Sequence, residues 1–350
     1  MSLPQAGGRL RAYSEFIFAI LYFFVAKVLA RRAAQGFSLD QGSPLAEQAI
    51  LAFLLLIGYA LMGFVLDRQA NPVAAQGWPL RKGWAGEAGI GLALGWGIAV
   101  VCVLPLTVAG GIAIRLSGGA SAWRWLATDA AFLALVALAE EVAFRGYGFQ
   151  RFANALGGMG AALAFATFYA ILQAFLPGSS SASVCVSIAI GWLLSMAYLR
   201  TRALWLSWGL NFAWKASRAL LFGLAVSGDN SHSPVVQGDP MGPFWVTGGG
   251  FGLDGTWIAF VALLAALPLV YRLTRDLDFR WNAPVIVPAG IPVDLDAAAR
   301  RQHEAAMGPA EPAPPTLVQI LPVTGPAIAV PAAPLPDESR PNSASDSDQG

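Results

Sequence analysis

Histidine is nearly missing from this chain: among 350 residues only His232 and His303 occur. Cysteine is as scarce. Cys102 and Cys185 each lie in an apolar stretch with no second cysteine nearby, which excludes a disulfide framework or a cysteine-rich metal pattern and makes both small core residues. Charge is sparse as well. Only 12% of residues are charged, against about 25% in a soluble domain, while 56% are hydrophobic and the mean hydropathy is +0.57. This is the composition of a polytopic membrane protein, whose first partner is the lipid bilayer. A formal net charge of +1 leaves no basic stripe to neutralise phosphates, so a nucleic-acid partner is excluded.

A bilayer core of about 30 Å takes about 20 apolar residues as a helix. Eight stretches qualify, near 14–30, 46–66, 86–110, 125–144, 157–176, 182–199, 203–226 and 255–272, joined by turns rich in Gly, Pro and Ser. The expected fold is therefore all-α, a membrane bundle of about eight transmembrane helices. The first, with Lys27 able to snorkel, reads as an uncleaved helix rather than a signal peptide, since no small-residue cleavage site follows it. Lys and Arg follow the second, fourth, sixth and eighth helices, as Arg68, Arg81, Lys82, Arg145, Arg151, Arg200, Arg202, Arg272, Arg275 and Arg280. The loops Pro177 to Ser183 and Gly228 to Gly255 hold none, and the second carries Asp229, Asp239 and Asp254. The positive-inside rule then puts both termini in the cytoplasm, with Arg31, Arg32, Arg115 and Arg124 as exceptions.

Three regions follow: N-terminal transmembrane helices over 1–84, a helical core over 85–275, and a Pro- and Ala-rich cytoplasmic tail over 276–350 that is expected to be disordered. Within the tail, Val293 to Met307 is a candidate short helix. Gly91-x-x-x-Gly95 reads as helix packing. No fixed-period repeat or inverted pair of broken helices points to a transporter.

One run stands apart. Glu140-Glu141-Val-Ala-Phe-Arg145-Gly146 ends an uncharged apolar stretch, Ala130 to Ala139. An ionisable group in such a segment costs about 2.5–3.5 kcal/mol on insertion scales, so it faces a protein interior or a cavity and marks function. On a helix Glu141 and Arg145 share a face as an i, i+4 ion pair. Glu140 points about 100° away, free of that pair and suited to a general base. A plain salt bridge at a helix end is the structural alternative.

These residues resemble the first motif of the CAAX-protease and bacteriocin-processing family of intramembrane endopeptidases. Leu204-Trp-Leu-Ser-Trp-Gly-Leu-Asn211-Phe-Ala-Trp214 is similar to the family's third-motif helix, and Trp245 to Gly252 looks like the outer loop of its bacterial members. The resemblance covers roughly 85 to 272. It implies attack of glutamate-activated water on a peptide bond of a membrane protein or peptide substrate, without a cofactor. With the family's distribution and the preference for Arg over Lys, it also implies a bacterial inner (cytoplasmic) membrane. Nothing in the residues identifies a prenylated substrate or an oligomeric state.

The chain departs from the family at both motif histidines. A Phe-x-x-x-His motif becomes Tyr169-Ala-Ile-Leu-Gln173, and His-x-x-x-Asn becomes Asn211-Phe-Ala-Trp-Lys215. His232 and His303 lie in the outer loop and the tail. Gln, Asn and Lys are poor metal ligands, so no metal site is expected. The implied catalytic set is Glu140, Glu141, Arg145, Gln173, Asn211 and Lys215, with the amides of Gln173 and Asn211 and the Lys215 ammonium available to an oxyanion. Lys215 beside Glu140 also weakens that base, which leaves an inactive relative that binds a membrane peptide or partner, in immunity or as an adaptor, as the alternative. Lys215 and Arg218 need counter-charges, from Glu140 and Glu141 ahead of Glu87 and Asp129. Read linearly, Glu140 sits near the cytoplasmic end of its helix and Gln173 near the outer end of the next. Either the segment Gly157 to Gly160 lies deeper or the segment around Gln173 is re-entrant.

Overall fold

The computed structural model describes residues 6–37, 43–116, 119–232 and 235–277, together with 285–286, 292–293 and 303. It is mostly helical. In chain order the elements are α1 (Ala6–Phe37), α2 (Pro44–Asp67), α3 (Pro72–Ala75), α4 (Trp84–Val108), β1 (Ile112–Leu116), α5 (Ala120–Arg145), α6 (Tyr147–Leu156), α7 (Gly158–Ala174), α8 (Ser181–Thr201), α9 (Trp205–Ala216), β2 (Val236–Pro240), α10 (Phe244–Thr247) and α11 (Trp257–Leu273). α9 runs on into a π-helical turn, Ser217–Leu221.

Each of the eight apolar stretches overlies a helix: α1, α2, α4, α5, α7, α8, α9 and α11. Among the described residues four helices are long and apolar enough to cross a membrane, over Leu10–Gly36, Pro44–Asp67, Trp84–Val108 and Ser181–Thr201. α7 and α11 are apolar but have 17 residues each, and α9 has 12. α5 is long enough at 26 residues, but Arg124, Asp129, Glu140, Glu141 and Arg145 interrupt its apolar character.

Local chemistry fixes the helix ends. Pro44 opens α2, where its missing N–H is no loss. Ser180 and Ser183 form a reciprocal capping box on α8, with bonds of 3.2 and 2.8 Å. Gly146 ends α5, because a side chain there would collide with the Val142 carbonyl one turn back.

The all-α expectation needs one correction. β1 pairs antiparallel with β2, Ile112 opposite Pro240 through Leu116 opposite Val236, tying the α4–α5 connection to the later outer loop. Val285–Ile286 and Pro292–Val293 form a second, shorter ladder inside the tail expected to be disordered. Otherwise the tail beyond residue 277 lies outside the described residues, as does the short helix expected over Val293 to Met307, apart from strand residue Val293 and helical His303.

The buried apolar side chains gather in two main clusters. One joins α4, α8, α9 and α11 around Leu94, Leu193, Leu210 and Leu263. The other joins α1, α2, α5, α6 and α7 around Leu55, Tyr59, Phe149 and Phe165. Tyr169 packs against both. Outward faces are apolar too: Phe18, Leu21, Val28, Phe53, Leu61 and Leu104 are all more than half exposed, as a lipid-facing surface requires and a water-facing one does not tolerate.

α4 and α9 pack through backbone. Gly91 lies against the Leu206 carbonyl, Gly95 against the Leu210 carbonyl, and Gly209 of α9 against the Ala88 carbonyl. The small-residue spacing thus does what it does in membrane helices generally, letting two backbones touch.

Candidate active site

α5 supplies the acids. Glu141 is fully buried and Arg145 nearly so, and Arg145 Nη1 lies 3.3 Å from Glu141 Oε1. Arg145 Nη2 donates to the Gly191 carbonyl at 3.1 Å, where Ser195 also bonds that carbonyl one turn on. Arg145 was counted above among the cytoplasmic charges that follow a helix. It is an interior side chain, so it says nothing about which side of the membrane the chain has reached. Arg151 is likewise drawn inward, 2.9 Å from Asp67 and 3.5 Å from Glu15.

α9 supplies the partners. Asn211 Nδ2 donates to Glu140 Oε2 and to Glu141 Oε1, each at 3.0 Å. One turn later Lys215 Nζ lies 3.1 Å from Glu140 Oε1. The i, i+4 spacing puts both on the helix face that meets α5. Glu140 therefore holds one cation and one amide, and Glu141 holds another cation and the same amide.

Gln173 lines the same cavity but touches neither acid. Its Nε2 donates to the Tyr169 hydroxyl at 3.0 Å and to Ser227 Oγ at 3.3 Å. The depth problem posed by the linear reading dissolves in the connection. α5 ends at Arg145, the ten residues of α6 follow, and only then does α7 begin. Phe144 meets Phe165, Phe168 and Tyr169 with ring centroids 6.5, 6.2 and 5.4 Å apart, so the last turn of α5 is level with the middle of α7. Glu140, one turn earlier, is level with the turn that ends in Gln173. α5 does end at Arg145, and the linear reading failed by taking that end as water-facing although the Arg145 side chain is buried.

Two charged residues complete the site that the sequence reading left out of it. Arg218, on the π turn after α9, is fully buried, lies over the Trp214 ring and pairs with Asp254 at 2.5 Å. π turns inside α-helices recur at functional sites, since the extra residue re-aims the side chains that follow. Asp254 belonged to the outer loop in the charge count, yet that loop folds back and buries it. The acids weighed as secondary partners lie elsewhere, Glu87 with Arg81 at 2.7 Å and Asp129 with His232 at 3.4 Å. A glycine-rich stretch with one acid and a threonine cap, Gly248-Gly-Gly-Phe-Gly-Leu-Asp254-Gly-Thr256, was the available signal for an inward turn.

Together Glu140, Arg145, Tyr169, Gln173, Asn211, Lys215, Arg218 and Asp254 line a polar cavity of about 10 Å³, room for about one water. The protons around it can be counted. Asn211 has two amide hydrogens and spends both on the glutamates. Gln173 spends both on hydroxyls. Lys215 has three and spends one in the ion pair with Glu140.

Residues 122–217, from the first turn of α5 to the end of α9, match the family model described as type II CAAX prenyl endopeptidase Rce1-like. The chain carries an Rce1-like segment. It contains all six residues singled out from the sequence, and it agrees with the resemblance drawn from the acidic motif. With the apolar helices it makes this a membrane protein related to the CAAX-type intramembrane proteases. No curated protein and no solved structure matches the chain.

Proposed function

We propose that the chain is an intramembrane endopeptidase of the Rce1-like kind, with Glu140 as the base that activates water. The observation that carries the reading is the difference between two adjacent acids: the Glu141 side chain is sealed at 0% exposure while that of Glu140 keeps 24% and opens on the cavity. Glu141 and Arg145 form the fixed support. Glu140 is the reachable carboxylate.

At rest Lys215 holds Glu140 as an ion pair in a site with room for about one water. A peptide carbonyl that enters and takes the Lys215 ammonium removes that counter-ion, so Glu140 is released to face the water as the carbonyl carbon gains electrophilicity. Water oxygen then bonds to the carbon, the π pair moves onto the carbonyl oxygen beside Lys215, and the water proton goes to Glu140. On collapse the pair returns, the C–N bond breaks, and Glu140 gives its proton to the leaving amine. Asn211 keeps both glutamates in register and contributes no free proton, and Gln173 likewise has none to spare. Around this centre the proposal places eight membrane crossings, both termini in the cytoplasm of a bacterial inner membrane, and the division 1–84, 85–275 and 276–350.

The ion pair also favours a second reading, an inactive relative that binds a membrane peptide or partner with Glu140 and Lys215 permanently engaged. Cleavage of a fluorogenic peptide library by detergent-purified protein separates the two, with Glu140→Ala and a chelator as controls. Turnover lost in Glu140→Ala and indifferent to chelator supports the peptidase. Folded, monodisperse wild type without turnover supports the binder, and a gain of turnover in Gln173→His with Asn211→His would then mark it as a decayed enzyme.

A further inference from the structure

The loss of both motif histidines leaves the site short of a neutral hydrogen-bond donor. The candidate for that role comes from a chain of hydrogen bonds that begins outside the matched segment. Paired with Arg218, Asp254 is a carboxylate and only accepts. Its Oδ2 takes the Ser227 hydroxyl proton at 2.8 Å and the Ser227 backbone N–H at 3.1 Å. A hydroxyl has one proton, so Ser227 Oγ is left as an acceptor, and it can face only the amino end of the Gln173 amide. That settles which way the amide points. Its second N–H goes to the Tyr169 oxygen, which therefore accepts from Gln173 and keeps its own proton unspent.

Tyr169 lines the cavity with Glu140 and Lys215, and the charges of both act on its hydroxyl. An ammonium cannot accept a proton. Asp254, the other carboxylate on the cavity, is already engaged by Arg218 and by both Ser227 donors, so the takers for the tyrosine O–H are Glu140 or an oxygen that enters the cavity. The backbone at Ser227 agrees with a held position. Its φ is +51° and that of Gly228 +88°, the two central positions of a tight turn closed by paired backbone bonds between Val226 and Asp229, so the turn sets the backbone and the two bonds to Asp254 set the hydroxyl.

We infer that Tyr169 is the donor that stabilises the tetrahedral oxyanion together with Lys215, and that Asp254, Ser227 and Gln173 are positioning residues that set the direction of its proton. This rests on the endopeptidase reading above. It also gives a reason for a tyrosine at the position where the family motif has phenylalanine: the hydroxyl supplies a donor that the glutamine, unlike histidine, has no proton left to provide.

The test uses the full-length chain and a fluorogenic peptide that the wild type cleaves, with Tyr169→Phe, Ser227→Gly and the double variant. Glycine adopts the left-handed φ freely, so Ser227→Gly removes the hydroxyl and keeps the turn. Loss of one oxyanion donor is expected to lower kcat about 10²-fold in Tyr169→Phe with KM unchanged. Ser227→Gly should lower kcat by less, and the double variant should be no slower than Tyr169→Phe alone, since the relay acts only through that proton. Wild-type kcat in Tyr169→Phe, or penalties that multiply in the double variant, would overturn the inference and leave the endopeptidase standing. A folded wild type that cleaves nothing overturns both.

Discussion

Gly95→Ala tests whether the α4–α9 contact sets the position of the site. A Cβ at Gly95 would collide with the Leu210 carbonyl and lie 2.8 Å from both the Ala213 Cβ and the Trp214 nitrogen. Carbon atoms rest at about 3.5–4.0 Å, so α9 must move by about 1 Å at the turn that carries Asn211. Asn211 holds two carboxylates at 3.0 Å each, and bonds of that kind do not survive a shift of that size. The methyl group gains about 1 kcal/mol of helix propensity, against about 1–3 kcal/mol for overpacking and about 1.5–3 kcal/mol for each bond to a charged group that is lost. The variant should be less stable by a few kcal/mol. Thermal unfolding in detergent measures this, with Gly97→Ala as the internal control: that position has nothing within 4 Å of a built Cβ on the same helix, and alanine there should be neutral or slightly stabilising. If the two variants melt alike, at or above wild type, the backbone contact does not constrain α9 and the reasoning fails.

Lys215→Met should destabilise the protein by about 3 kcal/mol, the lower end for breaking a buried pair because Glu140 is partly exposed, and adding Glu140→Gln should restore most of the loss; melting of the single and double variants checks both. Arg218→Met should cost about 3–5 kcal/mol by stranding Asp254, with Arg218→Met plus Asp254→Asn less damaging than Arg218→Met alone in the same assay. In the outer loop, burial tends to raise the Asp229 carboxyl, but the Ser231 hydroxyl and backbone N–H, with His232, hold it below its usual 3.8. Its contribution is complete above the usual value and fades as pH falls below it, so hydrogen-exchange protection of residues 228–232 should weaken as pH drops from 4 toward 3, and Asp229→Asn should flatten that dependence.

The helices were legible because apolar length is a local property, and each of the eight stretches became one. The acidic motif and its α9 partners were legible for a related reason. Buried charges demand counter-charges, and i, i+4 spacing shows which side chains share a face. Depth was the illegible quantity. Counting Arg145 and Arg151 as loop charges and Asp254 as an outer acid assumed that charge marks a water-facing end, whereas all three are spent on interior pairs. The β1–β2 ladder was hidden by its own composition: Val236-Gln-Gly-Asp-Pro240 carries residues depleted in strands, and its partner Ile112–Leu116 lies far back in the chain. Tyr169 was in plain view as a departure from a motif phenylalanine, but Ser227, which bonds its neighbour Gln173, lies 54 positions beyond that glutamine, outside any motif.

Charge balance shows where the altered motif acts. Glu140, Glu141 and Asp254 face Arg145, Lys215 and Arg218, three against three in one buried cluster, which keeps an otherwise costly set of ions tolerable in a low-dielectric interior. Arg218 and Asp254 close on each other, so the remaining balance is two acids against Arg145 and Lys215. With asparagine in place of Lys215, as in the family motif, Arg145 alone would face both glutamates and Glu140 would be an unpaired base. Lysine at that position adds the fourth charge and converts the base into a counter-ion until something displaces the ammonium. On the endopeptidase reading proposed above, the substitution at residue 215, more than the loss of either histidine, is therefore what ties turnover to the substrate's own carbonyl, and Lys215→Asn is the variant that should sever that tie.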